Sequence, residues 1–307
     1  MIVADPLSHV LDAIEAKSVV STGLNASGDW AVAVGRYPGI KFNAVIAGQC
    51  QLKVEGLEQL TLAEGDCFLL TQGLPFVIAS DLALPPRPAS EVFRGVTSYF
   101  AELLGDGEAD FCCIGGRMDI AVHARFVTAA LPPLIVLRAD GPEGPRIRWL
   151  LERLVAEIAQ LLPGSHAIAS QIMHMIFIET MRSISNSAAA EHGWLAALLD
   201  RNIGKALRAI HENPDRQWLL DEIAAEAGLS RSHFSARFVE IMGIPPMDYL
   251  LRWRMALAAK ALEATGKRAA DVAFESGYQS EAAFGAAFKR IHGISPGQYR
   301  RQFKASN

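Results

Sequence analysis

Arg231, Ser232, His233, Ser235 and Arg237 crowd into seven residues, and each side chain can donate hydrogen bonds to base edges or phosphate oxygens. Chemistry of other kinds finds no comparable constellation. The eight histidines, at 9, 123, 166, 174, 192, 211, 233 and 292, show no HxH or HExxH spacing, and neither GxSxG nor GxGxxG occurs. Cys50, Cys67, Cys112 and Cys113 make no CxxC pair and read as buried free thiols of a reducing compartment. No catalytic residue, metal site or cofactor is expected.

A donor row of this kind needs a helix that holds its opposite side against a core. Residues 230–249 and 280–299 supply one twice, at a constant offset of 50. Nine of the 20 pairs are identical: Ser230/Ser280, Phe234/Phe284, Ala236/Ala286, Phe238/Phe288, Ile241/Ile291, Gly243/Gly293, Ile244/Ile294, Pro246/Pro296 and Tyr249/Tyr299. Chance would give about one, so one supersecondary unit is duplicated. Before each copy lies a short helical stretch, 220–227 and 270–276, closed by Gly228 or Gly277. Glycine supplies the left-handed turn residue, and Ser230 and Ser280 then stand where an N-cap begins the next helix. Aromatics four apart make its inward stripe, and Gly243 or Gly293 ends it. Helix, glycine turn, helix is the helix-turn-helix, whose second helix can enter a major groove. A further helix over about 246–264, carrying Arg252, Arg254 and Lys260, is expected to join the two units.

The remainder of the 307-residue chain is long enough for a second domain. From about 30 to 80, short apolar runs such as 42–46 and 49–54 alternate with Gly and Pro turns, which predicts an antiparallel sandwich or barrel. Residues 81–90 read as a loop, another strand covers about 109–122, and Leu131-Pro132-Pro133 with Asp140-Gly141-Pro142 closes the domain. Ile147, Leu150, Leu151, Leu154, Ile158 and Leu161 then form one helical stripe, Pro163-Gly164 stops it, and a second helix rich in Ile and Met covers about 167–183. Those two helices pack on their own barrel or pair two chains. Residues 185–192 read as a linker. The expected division is 1–140, 141–192 and 195–307.

The net charge of −4 conceals an asymmetry: 195–307 carries 16 Lys+Arg and 12 Asp+Glu, which is +4, leaving −8 for the rest. A basic end on an acidic body suits a polyanion partner at that end. Residues 1–20 lack the basic start and apolar run of a signal peptide, and no apolar run of about 18 residues suggests a membrane span. A cytoplasmic protein without membrane attachment is expected.

Residues 200–303 resemble the AraC/XylS family of bacterial transcription regulators, on Ile223-Ala224, Ala227-Gly228-Leu229-Ser230, Phe234, Phe238, Gly243, Tyr249-Leu250, Arg252-Trp253-Arg254, Val272-Ala273, Gly277-Tyr278, Phe288-Lys289-Arg290 and Gly293-Ile294-Ser295-Pro296. The resemblance implies double-stranded DNA as partner, with two recognition helices in successive major grooves. It places Arg231, Ser232, Ser235 and Ala236 toward bases in the first unit, and Gln279, Glu281, Ala282 and Ala286 in the second. Ser230, His233, Arg237, Arg252, Arg254 and Ser280 complete the DNA-binding set. The second helix is acidic at Glu281 and otherwise nearly bare, so the first is expected to supply most base discrimination. Lys289, Arg290 and Arg300 then serve mainly for position.

The N-terminal half resembles the cupin-like sensing domain of one branch of this family, on Asp5-Pro6-Leu7, Phe42 to Gly48, Gly65-Asp66, Gly73 and Leu131-Pro132-Pro133. Metal-using cupins place histidines where this chain has Phe76 and Asn43, so the ligands of a metal site are missing. The implied architecture is α+β: a cupin-like barrel or jelly roll, a helical dimerisation segment and an all-α tandem helix-turn-helix. A small-molecule effector in the barrel is expected to modulate DNA binding, with Trp30, Phe42, Asn43 and Phe76 as candidate lining and ordinary core as their alternative role. A homodimer is expected, RNA polymerase is a further candidate partner, and activation and repression both fit. The competing classes are a cupin-type enzyme, which the missing ligands oppose, and a protein-binding adaptor, which the repeat opposes.

Overall fold

Alternating apolar residues bounded by glycine turns do form strands. A computed structural model describes residues 7–8, 11, 17–105, 107–119, 131–160, 162–186, 193–264 and 267–306. The strands are β1 (Lys17–Ala26), β2 (Ala31–Val34), β3 (Ile40–Ala47), β4 (Gln49–Val54), β5 (Leu60–Ala63), β6 (Cys67–Leu70), β7 (Phe76–Ala79), β8 (Arg87–Pro88), β9 (Phe100–Leu103), β10 (Phe111–Asp119) and β11 (Leu134–Leu137). They make a six-stranded sheet, β11-β6-β3-β10-β1-β9, and a five-stranded sheet, β5-β4-β7-β2-β8. Pairing is antiparallel except β1 with β9 and β2 with β8. The two sheets share one core, in which Leu24, Val45, Phe68 and Leu70 meet Val32, Leu52, Phe76 and Ile78. That is a two-sheet jelly-roll sandwich of the cupin kind.

Turn chemistry fixes the sandwich. Gly73 has φ +65°, and a Cβ there would lie 2.2 Å from the Tyr37 carbonyl oxygen, so only glycine fits. Asp66, buried at the β5–β6 turn, accepts from the Ala63 amide at 3.1 Å, the Ala139 amide at 2.9 Å and Arg138 at 2.7 Å. A buried carboxylate so fully partnered ties that turn to the chain after β11.

Two sequence expectations change here. Residues 81–90 are not all loop: β8 occupies 87–88 and a one-turn helix, α1 (Ala89–Val92), follows. Leu134–Leu137 is a strand, because the preceding prolines end a connection and not the domain. Residues 120–122 of the expected 109–122 strand, Asp5 and Pro6, and 187–192 of the linker lie outside the described residues.

Next come α2 (Gly144–Gln160) and α3 (Ser165–Asn186). Ile147, Leu150, Leu151, Leu154 and Ile158 are buried on α2 as the stripe predicts, while Leu161 lies outside the described residues. Buried Glu157 joins the helices, accepting from Ser165 Oγ at 3.0 Å and pairing with Arg153 at 2.9 Å. The hairpin belongs to the same compact unit as the sheets (16–120 with 131–187), and α3 lies on β1 and β11. Where α3 crosses β10, a Cβ on Gly116 would meet the Met173 methyl at 2.0 Å, so the missing side chain admits the helix.

The second compact unit, which contains 188–307, is helical: α4 (Trp194–Leu199), α5 (Ile203–Glu212), α6 (Leu220–Glu226), α7 (Arg231–Met242), α8 (Pro246–Ala264), α9 (Ala269–Glu275), α10 (Glu281–His292) and α11 (Pro296–Ser306). The α8 helix begins at Pro246, whose fixed φ suits a first helical turn, and spans the predicted 246–264. Tyr249, Leu250 and Trp253 of its first half are buried. There His211 stacks on Trp253 at 4.1 Å, and its Nε2 lies 2.7 Å from the Tyr249 hydroxyl. Met255, Ala258, Ala259 and Leu262 of its second half enter a separate core with Val272, Ala273, Phe284 and Phe288. One continuous helix therefore anchors both helix-turn-helix units.

Candidate nucleic-acid interface

The duplication is visible atom by atom. Gly228 and Gly277 turn the chain at φ +67° and +79°. The Ser230 hydroxyl accepts from the His233 amide at 3.4 Å, and Ser280 accepts from Ala283 at 3.2 Å. Gly243 and Gly293 close the two helices in the left-handed region and donate their amides to Val239 and Lys289. Phe234 and Phe238 pack as tilted rings with centroids 5.5 Å apart, Phe284 and Phe288 with theirs 5.6 Å apart, and all four rings are fully buried. The burial pattern over 231–244 repeats position by position over 281–294. Both second helices thus hold their aromatic side inward and leave their opposite side in solvent.

The free faces differ. On α7, Arg231, Ser232 and His233 are exposed and Ser235 is half-buried. On α10 the corresponding positions are Glu281, Ala282, Ala283 and Gly285, with Gln279 and Ser280 exposed just before and Ala286 beyond. Exposed Lys289 and Arg290 stand at the far end of α10, where cations also favour the negative end of the helix dipole.

Several predicted cations already have partners. Arg237 makes an ion pair with nearly buried Asp200, with Nε at 3.0 Å and Nη2 in closer contact. Asp200 also accepts from the Asn202 and Ile203 amides, each at 2.9 Å, and so caps α5. Burial alone would raise the Asp200 pKa, but the Arg237 hydrogen bond and those two amides hold the carboxyl below its ordinary range. Arg254 donates to the Pro214 and Arg216 carbonyls, both at 2.6 Å, and so clamps the chain before α6. Arg300 donates to the Lys267 carbonyl at 2.9 Å. Among the described residues Arg231 has only a long, exposed contact with Asp221 at 3.4 Å. Arg252 is half-buried on α8. Asp200 and Asp221 were invisible to sequence reasoning, since nothing local links residue 200 to residue 237.

In the sandwich, Asn43 and Phe76 line a cavity of about 260 Å³ between the sheets, together with Leu24, Val32, Lys41 and Ile78. Trp30, tilted against Phe111 with ring centroids 4.5 Å apart, lines a different cavity of about 280 Å³ with Ser27, Asp29 and Ala31. Phe42 is a correction to the effector set. Side chains alternate along β3, so Phe42 turns away from the face that carries Lys41 and Asn43, and its cross-strand partner Gly116 is the point where Met173 of α3 closes in. Lys41 escaped notice, although its two-residue spacing from Asn43 is the signal that puts both on one face.

Two family models match the chain, one described as cupin over residues 5–186 and one as helix-turn-helix domain over residues 223–302. A protein of Streptomyces antibioticus described as an AraC-like transcription regulator is 36% identical over 300 residues, spanning 97% of this chain and 98% of the relative. The HTH-type transcriptional regulator AlkR of Acinetobacter baylyi is 27% identical over 308 residues, 97% of this chain and 99% of the relative. Among solved structures, the DNA-binding domain of AdpA in complex with a target DNA is 28% identical with a TM-score of 0.34, covering 35% of this chain and 97% of that domain. With a cupin sandwich, a duplicated helix-turn-helix and full-length relatives of one kind, the chain belongs to the AraC-like transcription regulators.

Proposed function

We propose that this regulator reads DNA mainly through α7 and uses α10 chiefly for position. The observation that carries the reading is the pair of matched helices with free outer faces, one rich in donors and one almost bare. Arg231, Ser232, His233 and Ser235 present guanidinium, hydroxyl and imidazole groups suited to base edges. Alanines at 282 and 286 offer little beyond contact with a thymine methyl, and Glu281 can accept only from the amine of a cytosine or an adenine. Lys289 and Arg290 supply phosphate contacts, whereas Arg237, Arg254 and Arg300 act first by holding the framework.

The same reading gives the sandwich an effector role: a small molecule in the 260 Å³ cavity changes the DNA affinity of the cytoplasmic regulator. It acts only by binding one arrangement of the chain better than another. Trp149, Leu162, Ile168 and Met175 lie exposed on or between α2 and α3 and give a homodimer an apolar seam. RNA polymerase is the further partner wherever the output is activation. The test is a titration of promoter fragments from the chain's own gene neighbourhood over a salt series. Log affinity should fall with log salt by about 0.9 per phosphate contacted, and Lys289→Ala should lower that slope by about one contact on every sequence. A flat salt response, or equal affinity for promoter and random DNA, overturns the reading. Sedimentation at micromolar concentration checks the dimer, and a monomer throughout overturns that part.

A further inference from the structure

Polar groups on the inner face of β3 are out of balance with the cavity they face. Asn43 is 7% exposed and lines the cavity, and its Nδ2 has no hydrogen-bond partner among the described residues. Two residues before it, half-buried Lys41 lines the same cavity. No carboxylate or carbonyl among the described residues engages its ammonium, which stands 5.5 Å from the centre of the Tyr37 ring. Directly across the ladder from Lys41 is Arg117, whose charge is met by Asp119 at 2.9 Å. This end of the cavity therefore carries one unmatched positive charge and one unmatched donor. The rest of the lining is largely apolar, with Leu24, Val32, Val34, Phe76 and Ile78 prominent. Buried donors without acceptors are rare in folded proteins and point to a missing partner.

We propose that the cavity binds a small amphipathic carboxylate, its head held by Lys41 and Asn43 and its apolar body lying against Leu24, Val32 and Ile78. The inference rests on the effector reading of the sandwich and names the ligand class. A carboxylate has two acceptor oxygens, one for each unmatched donor, and its charge answers the ammonium. Burial and the neighbouring Arg117 both disfavour the Lys41 charge, and only an ionised Cys113 would oppose them, so an anion would relieve the cation. Burial holds the Cys113 thiol neutral, which leaves no competing negative group on that wall.

Calorimetric titration of the full chain with hexanoate, octanoate and benzoate, each beside its alcohol (hexanol, octanol and benzyl alcohol), separates charge from shape. Each carboxylate should bind about ten-fold or more tightly than its alcohol, as expected for charge-assisted contacts. Lys41→Met should erase that gap while leaving the alcohols unchanged, and Lys41→Arg should restore most of it. Asn43→Leu should weaken the carboxylates and raise the melting temperature of the ligand-free chain, because it removes the unmatched donor. Acids and alcohols of equal affinity would overturn the carboxylate head and leave the effector cavity standing. Failure of all six probes to bind at millimolar concentration would overturn both.

Discussion

The α7 and α10 helices are the same object from behind and different objects in front. Each starts at a serine cap, buries two phenylalanines, ends at a left-handed glycine and repeats the other's burial pattern. In front, Arg231, Ser232, His233 and Ser235 face Glu281, Ala282, Ala283 and Gly285 at equal positions. Folding constrains the back, because a lost cap or ring costs stability wherever it occurs. Nothing in folding constrains the front, so the front is where recognition can diverge. The contrast also separates two kinds of arginine: Arg231 is nearly free, whereas Arg237 is held by Asp200 and has only alanine as its counterpart at 287.

The comparison breaks most completely at the rings. Phe238→Ala and Phe288→Ala should each cost about 3–5 kcal/mol of stability, since both side chains are fully buried, and denaturant unfolding should give similar losses for the two. A large loss at one and a small loss at the other would mean the backs are not equivalent. The fronts should then respond unequally. Arg231→Ala should weaken promoter binding by about 1–3 kcal/mol and relax specificity at one base pair, if the guanidinium reads a base edge. Glu281→Ala at the equivalent position should leave affinity unchanged or improve it, because it removes a negative charge from a surface meant for phosphates. Fluorescence anisotropy on matched and mutated sites measures both, and equal losses would contradict the division of labour.

A smaller effect sharpens the same contrast. Asp200→Ala removes the cap of α5 and should cost about 1 kcal/mol at neutral pH. The folded carboxyl titrates below its ordinary value, so its contribution is present above about pH 4 and fades as pH falls through the depressed folded value. Thermal unfolding of wild type and variant should therefore converge on acidification. The substitution also releases Arg237, so DNA affinity at neutral pH should hold or rise while stability falls. A parallel loss of both would make Arg237 a framework group alone.

What sequence made legible follows from range. The caps, glycine stops and phenylalanine pairs are local, each read within a few residues, and α8 appears over its predicted span. The ion pairs are not local: Arg237 meets Asp200 and Arg254 meets Pro214 across 37 and 40 residues, and no spacing rule connects them. In the sandwich, alternation located β3 and β4 but not the inner side of β3. Both faces are covered there, so Phe42 and Asn43 are both buried and burial cannot tell the inner side from the outer. Strand β6, buried at all four positions, has the same property. Of the four effector candidates, Asn43 and Phe76 face one cavity, Trp30 faces another and Phe42 lies on the opposite side of β3 from Lys41 and Asn43.

The finest test concerns Gly285, which stands in the middle of α10 where α7 has Ser235. Glycine inside a helix gives up more backbone freedom on folding than alanine does, at a cost of about 0.5–1 kcal/mol. A Cβ added there would meet nothing within 4 Å, so the methyl group creates no clash with the aromatic core behind it. Gly285→Ala should therefore stabilise the C-terminal unit by about that amount, read as a higher melting temperature. Its effect on DNA decides what the glycine is for. If α10 only positions the protein, through Lys289 and Arg290 near its end, a methyl group on the bare surface leaves affinity and salt slope unchanged. If the gap admits the duplex closely, the same methyl group lowers affinity despite the gain in stability, and α10 reads DNA by the shape of its surface and not by its side chains.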